Sequence, residues 1–257
     1  MTQTFQPDSR FVSHVRPSPN HGDRAPLAVN ILLLHYTGMA STADAIERLC
    51  QPSARVSSHY VIDRHGEILQ LVAEARRAWH AGESWWEGVT DINSSSIGIE
   101  IGNPGHSLGY PDFPDAQMAA VIDLCGDIVA RHRIRPQRVL AHSDVAPRRK
   151  RDPGEKFPWR RLFEAGIGAW VEPAPLTPAS TSPHIGDNGP GIARLQQALK
   201  RYGYDIAPSG TYDHDTATVV TAFQRHFRPA RVDGLADRST VETLEALLAA
   251  REAPLSA

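Results

Sequence analysis

The sequence predicts an α/β protein: a central mixed β-sheet flanked by helices, followed by a small C-terminal unit of three helices. Three observations carry this expectation. Short, nearly continuous apolar runs at 29–34, 96–101 and 138–141 have the length and branching of buried strands. Segments with helix-spaced apolar residues lie between them, and strands alternating with helices form layered α/β domains. Beyond a stretch at 171–183 that holds Pro173, Pro175, Pro178 and Pro183, the periodicity is helical only. The 257 residues therefore divide into an N-terminal arm (1–28), an α/β domain (29–170), a linker (171–183), a three-helix domain (184–250) and a tail (251–257).

Bulk properties narrow the function. Apolar residues make up 41% and charged residues 22%, the balance of an ordinary globular protein. The net charge of −2 supplies no basic excess for phosphate neutralisation, so no nucleic-acid partner is expected. No run approaches the ~18 apolar residues of a membrane span. No signal-peptide core is visible after Met1. If Met1 is the native start the cytoplasm is expected, with the periplasm or cell envelope as the alternative. Cys50 and Cys125 each sit in an apolar helical stretch and read as buried thiols, with no disulfide framework implied.

The elements follow in order. Residues 1–28 are polar and proline-rich, an extended arm. The run Val29–Leu34 leads into His35-Tyr36-Thr37-Gly38, a buried strand closed by a glycine turn. In 42–50, Ala45, Ile46 and Leu49 have helix spacing, with Thr42 as N-cap and Pro52 as stop. Segments 58–63 and 67–72 flank Arg64-His65-Gly66 as a β-hairpin. The loop 78–88 holds three of the five tryptophans. In 96–102, Ile97, Ile99 and Ile101 share one face; Gly98 and Glu100 share the other, where the glycine leaves room for a visitor. Asp115 caps a helix over 116–132, with Met118, Val121, Ile122, Cys125, Ile128 and Val129 as one stripe. The strand 138–142 ends in His142, and 157–170 reads as a closing helix. Later stripes run through Ile192, Leu195 and Leu199, through Val219, Phe223 and Phe227, and through Val241, Leu244 and Leu247.

The chemistry gathers at 141–159, AHSDVAPRRKRDPGEKFPW. Strands ending in His35 and His142 can lie side by side with both imidazoles at one sheet edge, where ligands of such sheets collect. Asp152 on the following loop would complete a His/His/Asp set. Three mixed N and O ligands with a position left open is the pattern of catalytic zinc. Chance placement among twelve histidines is the competing reading of the spacing. A catalytic zinc also needs a base and an oxyanion partner. Glu100 and Lys150 (one of only three lysines) are placed for those tasks, although each reads equally as a solvated surface group.

Five segments then occur in order: His35-Tyr36-Thr37-Gly38, Ser58-His59-Tyr60, Ser96-Ile97-Gly98-Ile99-Glu100, Ala141-His142-Ser143-Asp144 and Lys150-Arg151-Asp152-Pro153-Gly154. Together, over residues 29–165, they resemble the zinc-dependent N-acetylmuramoyl-L-alanine amidases of the type-2 family, relatives of the peptidoglycan recognition proteins. The resemblance implies one zinc ion per chain on His35, His142 and Asp152, with Glu100 as general base and Lys150 steadying the oxyanion. Some relatives carry cysteine as third ligand, so Asp152 places the chain nearer the bacterial recycling and envelope amidases. Trp79-His80-Ala81-Gly82 is similar to the family's substrate-groove loop, which makes Trp79, His80 and Tyr36 candidate substrate contacts; packing of the aromatic loop explains His80 equally well. Over 184–250, Gly189, Leu195-Gln196, Gly203-Tyr204, Gly210-Thr211-Tyr212-Asp213, Phe223-Gln224 and Asp233-Gly234 resemble a three-helix peptidoglycan-binding domain. The implied reaction is hydrolysis of the amide between N-acetylmuramic acid and L-alanine, in peptidoglycan or in anhydro-muropeptides. A non-catalytic peptidoglycan receptor and a peptidase acting within the stem peptide are the alternatives.

Overall fold

The computed structural model describes residues 5–176 and 182–252. Expectations for the arm's first four residues, for linker residues 177–181 and for tail residues 253–257 lie outside the described residues. In chain order the elements are β1 (His14–Val15), β2 (His21–Asp23), β3 (Ile31–Tyr36), α1 (Thr42–Cys50), β4 (Tyr60–Ile62), β5 (Ile68–Gln70), β6 (Arg76–Ala78), α2 (Ile92–Ser95), β7 (Ser96–Ile101), α3 (Asp115–His132), β8 (Val139–Ala141), α4 (His142–Val145), α5 (Trp159–Glu164), α6 (Pro190–Tyr202), α7 (His214–Phe227) and α8 (Arg238–Glu252). The mixed α/β architecture and the three C-terminal helices are those the sequence predicts.

Six strands form the main sheet in the order β1-β5-β4-β7-β3-β8. Only the β4–β5 hairpin is antiparallel; β3 lies between β7 and the edge strand β8 and pairs in parallel with both. The register sets His35 opposite Glu100 and Leu34 opposite Ala141. His35, Glu100 and the residue after β8, His142, therefore reach one end of the sheet from three adjacent strands.

Alternation along β3 divides the core. Leu32 and Leu34, with Ile97, Ile99, Ile101, Val139 and Ala141, pack beneath α3. Ile31 and Leu33, with Leu140, face the opposite side and join a core shared with α6, α7 and α8. All of these aliphatics are essentially inaccessible, and burial of each contributes ~1.5–3 kcal/mol. That face of the sheet thus shares its core with the C-terminal helices.

The structure departs from the sequence reading at several elements. The N-terminal arm is built into the sheets: β1 pairs with β5 and β2 with β6, and Ser18 and Asn20 are buried against the end of α1. Backbone pairing of two or three residues leaves no side-chain period to read. Ser41, not Thr42, caps α1 by accepting from the Asp44 N–H. At α3 Pro114 holds the N-cap position and Asp115 lies in the first turn. The closing helix is only Trp159–Glu164, because Gly166 and Gly168 turn the chain with φ of 80° and 81°. Cys125 is buried as expected, but Cys50 is only half-buried. Ala174, at the start of the expected linker, is pinned to α8 through Thr243 and Ser239.

Trp86, fully buried, inserts from the aromatic loop between the units, edge-on to Tyr202 and Tyr204 at centroid distances of 6.1 and 5.0 Å. Gly203, at φ 148°, has no room for a Cβ beside that indole. Overpacking costs ~1–3 kcal/mol and a strained φ adds to it. Gly203→Ala is expected to lower Tm by ~5 °C or more in a scan of the purified chain, at roughly 2–4 °C per kcal/mol. An unchanged Tm would show that this contact does not hold the units together.

Candidate metal centre and active site

Three elements bring His35, His142 and Asp152 together. His35 is the fifth residue of β3, His142 opens α4, and Asp152 lies ten residues on. The strand expected to end at His142 ends at Ala141, and the imidazole starts a single helical turn instead. The Asp152 carbonyl accepts the Ser143 N–H at 3.0 Å, which closes the loop on itself. All three side chains are buried.

Their facing atoms form a tight triangle. His35 Nδ1 is 2.8 Å from His142 Nδ1 and 3.1 Å from Asp152 Oδ2, and His142 Nδ1 is 2.9 Å from the same oxygen. The outer ring nitrogens decide where the protons are. His142 Nε2 lies 3.0 Å from the Ala81 carbonyl, which can only accept, so Nε2 carries a hydrogen and Nδ1 is the bare nitrogen of the neutral ring. For His35 the chain is longer. Ser96 Oγ donates to the Ile92 carbonyl at 2.6 Å, accepts from His80 Nε2, and so leaves His80 Nδ1 to accept from His35 Nε2 at 3.0 Å. His35 Nδ1 is then bare as well. Burial and the neighbouring His142 push the His35 imidazole down to about 4, so its lone pair is free at neutral pH.

Two lone pairs and a carboxylate oxygen converge here with no hydrogen among them. A shared cation resolves that conflict. Donors ~2.0–2.2 Å from a tetrahedral zinc ion stand roughly 3.3–3.6 Å apart, a few tenths of an ångström wider than the 2.8–3.1 Å seen, and the nitrogen–nitrogen–oxygen set suits zinc better than magnesium or calcium. The ring nitrogens that face outward are tied to a carbonyl or to a relay, as ligating histidines require.

Glu100 sits across the β3–β7 ladder from His35. Its Oε2 is sealed from solvent and has no hydrogen-bond partner among the described residues. Burial, reinforced by the Asp152 carboxylate, pushes the Glu100 carboxyl well above its ordinary value, while Lys150 pulls it back. Lys150, Glu100 and the triad line one cleft of about 570 Å³, together with Tyr36, Trp79, His80 and Arg149.

The expected substrate contacts are distributed unequally. Trp79 and Tyr36 line the cleft. The Tyr36 hydroxyl donates to His106 Nδ1 at 3.0 Å, and His106 Nε2 in turn reaches Glu155 at 3.1 Å. His80 has both ring nitrogens engaged behind His35 and occupies the space that Gly98 leaves open: a Cβ on Gly98 would lie 2.5 Å from His80 Nδ1. The room next to Glu100 thus belongs to a histidine of the protein rather than to a visiting molecule. Ser96 and Asn93, whose Oδ1 accepts the His80 and Ala81 N–H groups, went unmarked in the sequence. They lie in a polar run, Asn93-Ser94-Ser95-Ser96, with no period to single them out.

Comparison with known proteins identifies what the whole chain is similar to. The family model of N-acetylmuramoyl-L-alanine amidases matches residues 25–155, and that of a peptidoglycan-binding domain matches residues 188–244. The N-acetylmuramoyl-L-alanine amidase AmiD of Escherichia coli is 40% identical over 245 residues, covering 86% of this chain and 82% of that protein. A solved complex of E. coli AmiD with the substrate anhydro-N-acetylmuramic acid-L-Ala-D-γ-Glu-L-Lys superposes with a TM-score of 0.74 at 37% identity, over 96% of this chain and 95% of that one. AmpDh3 of Pseudomonas aeruginosa in complex with an anhydromuramic pentapeptide gives a TM-score of 0.71 at 32% identity, over 97% and 99% of the two chains.

Proposed function

Because this chain belongs to the N-acetylmuramoyl-L-alanine amidase family, we propose that its cleft hydrolyses the amide between N-acetylmuramic acid and L-alanine in anhydro-muropeptides, with His35, His142 and Asp152 holding a zinc ion. The observation that carries this is the convergence of two imidazoles and a carboxylate one strand away from Glu100, whose Oε2 is sealed from solvent and without a hydrogen-bond partner among the described residues. When bound, zinc supplies Lewis-acid polarisation of the scissile carbonyl and acidifies water. Glu100, on the adjacent strand, takes the proton of the attacking water and returns it to the leaving amine. Its raised affinity for a proton matches that double task better than an ordinary surface carboxylate would. The Lys150 ammonium, at the cleft wall, steadies charge developing on the carbonyl oxygen, a contribution of ~3–4 kcal/mol for one such donor. Trp79 and Tyr36 supply apolar and aromatic wall for the sugar and the first stem residues.

Two solved relatives hold anhydromuramic peptides, which favours the soluble fragment over intact wall as substrate. The match to a peptidoglycan-binding domain leaves sacculi as the competing source of the same bond. No helix among the described residues is long and apolar enough to cross a membrane. Incubation with a defined anhydro-muropeptide, read by mass spectrometry, is expected to release the anhydro-sugar and an intact stem peptide beginning with L-alanine. A cut within the stem, or no cut by zinc-loaded protein, would reject the assignment. The same assay on sacculi ranks the two sources.

A further inference from the structure

The C-terminal helices grip the loop that carries two of the three metal donors. Asp144, two residues after His142, is fully buried, and its carboxylate accepts three hydrogen bonds. One comes from the Ala141 N–H at 2.8 Å and belongs to the turn itself. The other two come from the C-terminal unit: the Tyr204 hydroxyl at 2.7 Å and His226 Nδ1 at 2.7 Å. The next residue back on α7, Arg225, lies 3.6 Å from Glu155, three residues beyond Asp152. Glu155 leads through His106 to Tyr36 at the cleft wall. Between these grips Arg148 pairs with Asp215 through its Nε and Nη2. The His226 ring is itself fixed, stacked on Trp159 at a centroid distance of 3.7 Å.

We propose that α7, together with Tyr204 just beyond α6, is a positioning element of the active site: through Asp144 and Glu155 they hold both flanks of the 142–152 loop and so set the metal affinity of the centre. A module present only to bind glycan would need no buried polar bonds to this turn. A carboxylate sealed from water must have its hydrogen bonds supplied, and without His226 and Tyr204 the Asp144 side chain would leave the interior and take the His142 turn with it. The inference rests on reading His35, His142 and Asp152 as the metal centre, and it adds residues 60 and 82 positions from Asp144 in sequence to the parts that shape it.

Three variants of the full chain test it: His226→Leu, His226→Asn and Tyr204→Phe. Zinc affinity is measured by chelator competition, the electronic spectrum of the cobalt-loaded protein reports ligand geometry, and circular dichroism of the metal-free protein reports folding. His226→Leu is expected to weaken zinc binding by ~10-fold or more and to alter the cobalt spectrum, as loss of an outer-shell partner does. Tyr204→Phe should move in the same direction by less. Asparagine can donate to Asp144 where Nδ1 did, so His226→Asn should stay within roughly threefold of the parent. Parental zinc affinity and an unchanged cobalt spectrum in His226→Leu would overturn the proposal. So would His226→Asn failing as badly as His226→Leu, since stacking on Trp159 would then be the whole role. If His226→Leu does not fold, Tyr204→Phe, which removes one hydroxyl, decides alone. Failure of the parent chain to take up zinc or cobalt would instead sink the metal reading, and the clamp with it.

Discussion

Replacing Asp152 by alanine is expected to remove zinc and activity together while leaving a folded protein. Asp152 is the anionic donor of the three, and without it two neutral imidazoles remain. Four-ligand structural zinc sites bind with ~10–16 kcal/mol, so one ligand is worth on the order of 2.5–4 kcal/mol, roughly a hundredfold to several hundredfold in affinity. Zinc content after gel filtration, measured by elemental analysis, should fall from one equivalent to near zero. Thermal unfolding gives an independent check. Zinc at 100 times its dissociation constant stabilises the parent by ~2.7 kcal/mol, and the same concentration should leave the variant's Tm unmoved. A variant that keeps a full equivalent of zinc and a near-parental rate would remove Asp152 from the site. Absence of zinc from the parent itself, even after reconstitution, would overturn the metal mechanism as a whole.

Glu100→Gln should do the opposite to the metal and nearly the same to the rate. Glutamine preserves the shape of the side chain, and Glu100 lies outside the His35–His142–Asp152 triangle, so one equivalent of zinc is expected to remain. It cannot accept the water's proton, and loss of a positioned general base costs ~100-fold or more in turnover. The pH profile separates this from a packing defect. Burial and the Asp152 charge raise the Glu100 carboxyl, and a bound cation would offset the second of these. A base must be deprotonated to act, so the parent's activity should fall as pH drops through that raised value, above the ordinary carboxylate range. The limb should vanish in Glu100→Gln. Near-parental turnover in the variant, or an unchanged acidic limb, would take Glu100 out of the role.

Much of this was legible in the residues. Each long strand announces itself by a run of apolar side chains, each long helix by a stripe, and each turn by glycine or proline, because those signals depend on neighbours a few positions away. The pairing of β3 with β8, which brings His35 beside His142, follows from two buried strands each ending in a histidine. Five ordered segments and a helical C-terminal pattern were enough to point to the family and to the enzyme class. The sequence was silent where the determining contact is distant or made by backbone alone. The arm's short strands carry no side-chain period. Nothing near His80 in the sequence shows that this cleft-lining residue has both ring nitrogens engaged by Ser96 and His35. The C-terminal helices looked like a separate module behind a proline-rich linker. Only the folded chain brings His226 onto Asp144, 82 residues away, and Trp86 against Gly203. Local chemistry thus determined the elements and marked the candidate donor residues. Tertiary packing decided which ring nitrogens are bare, what fills the space beside Glu100 and what holds the metal loop, since buried polar groups take their partners from whatever the fold places next to them.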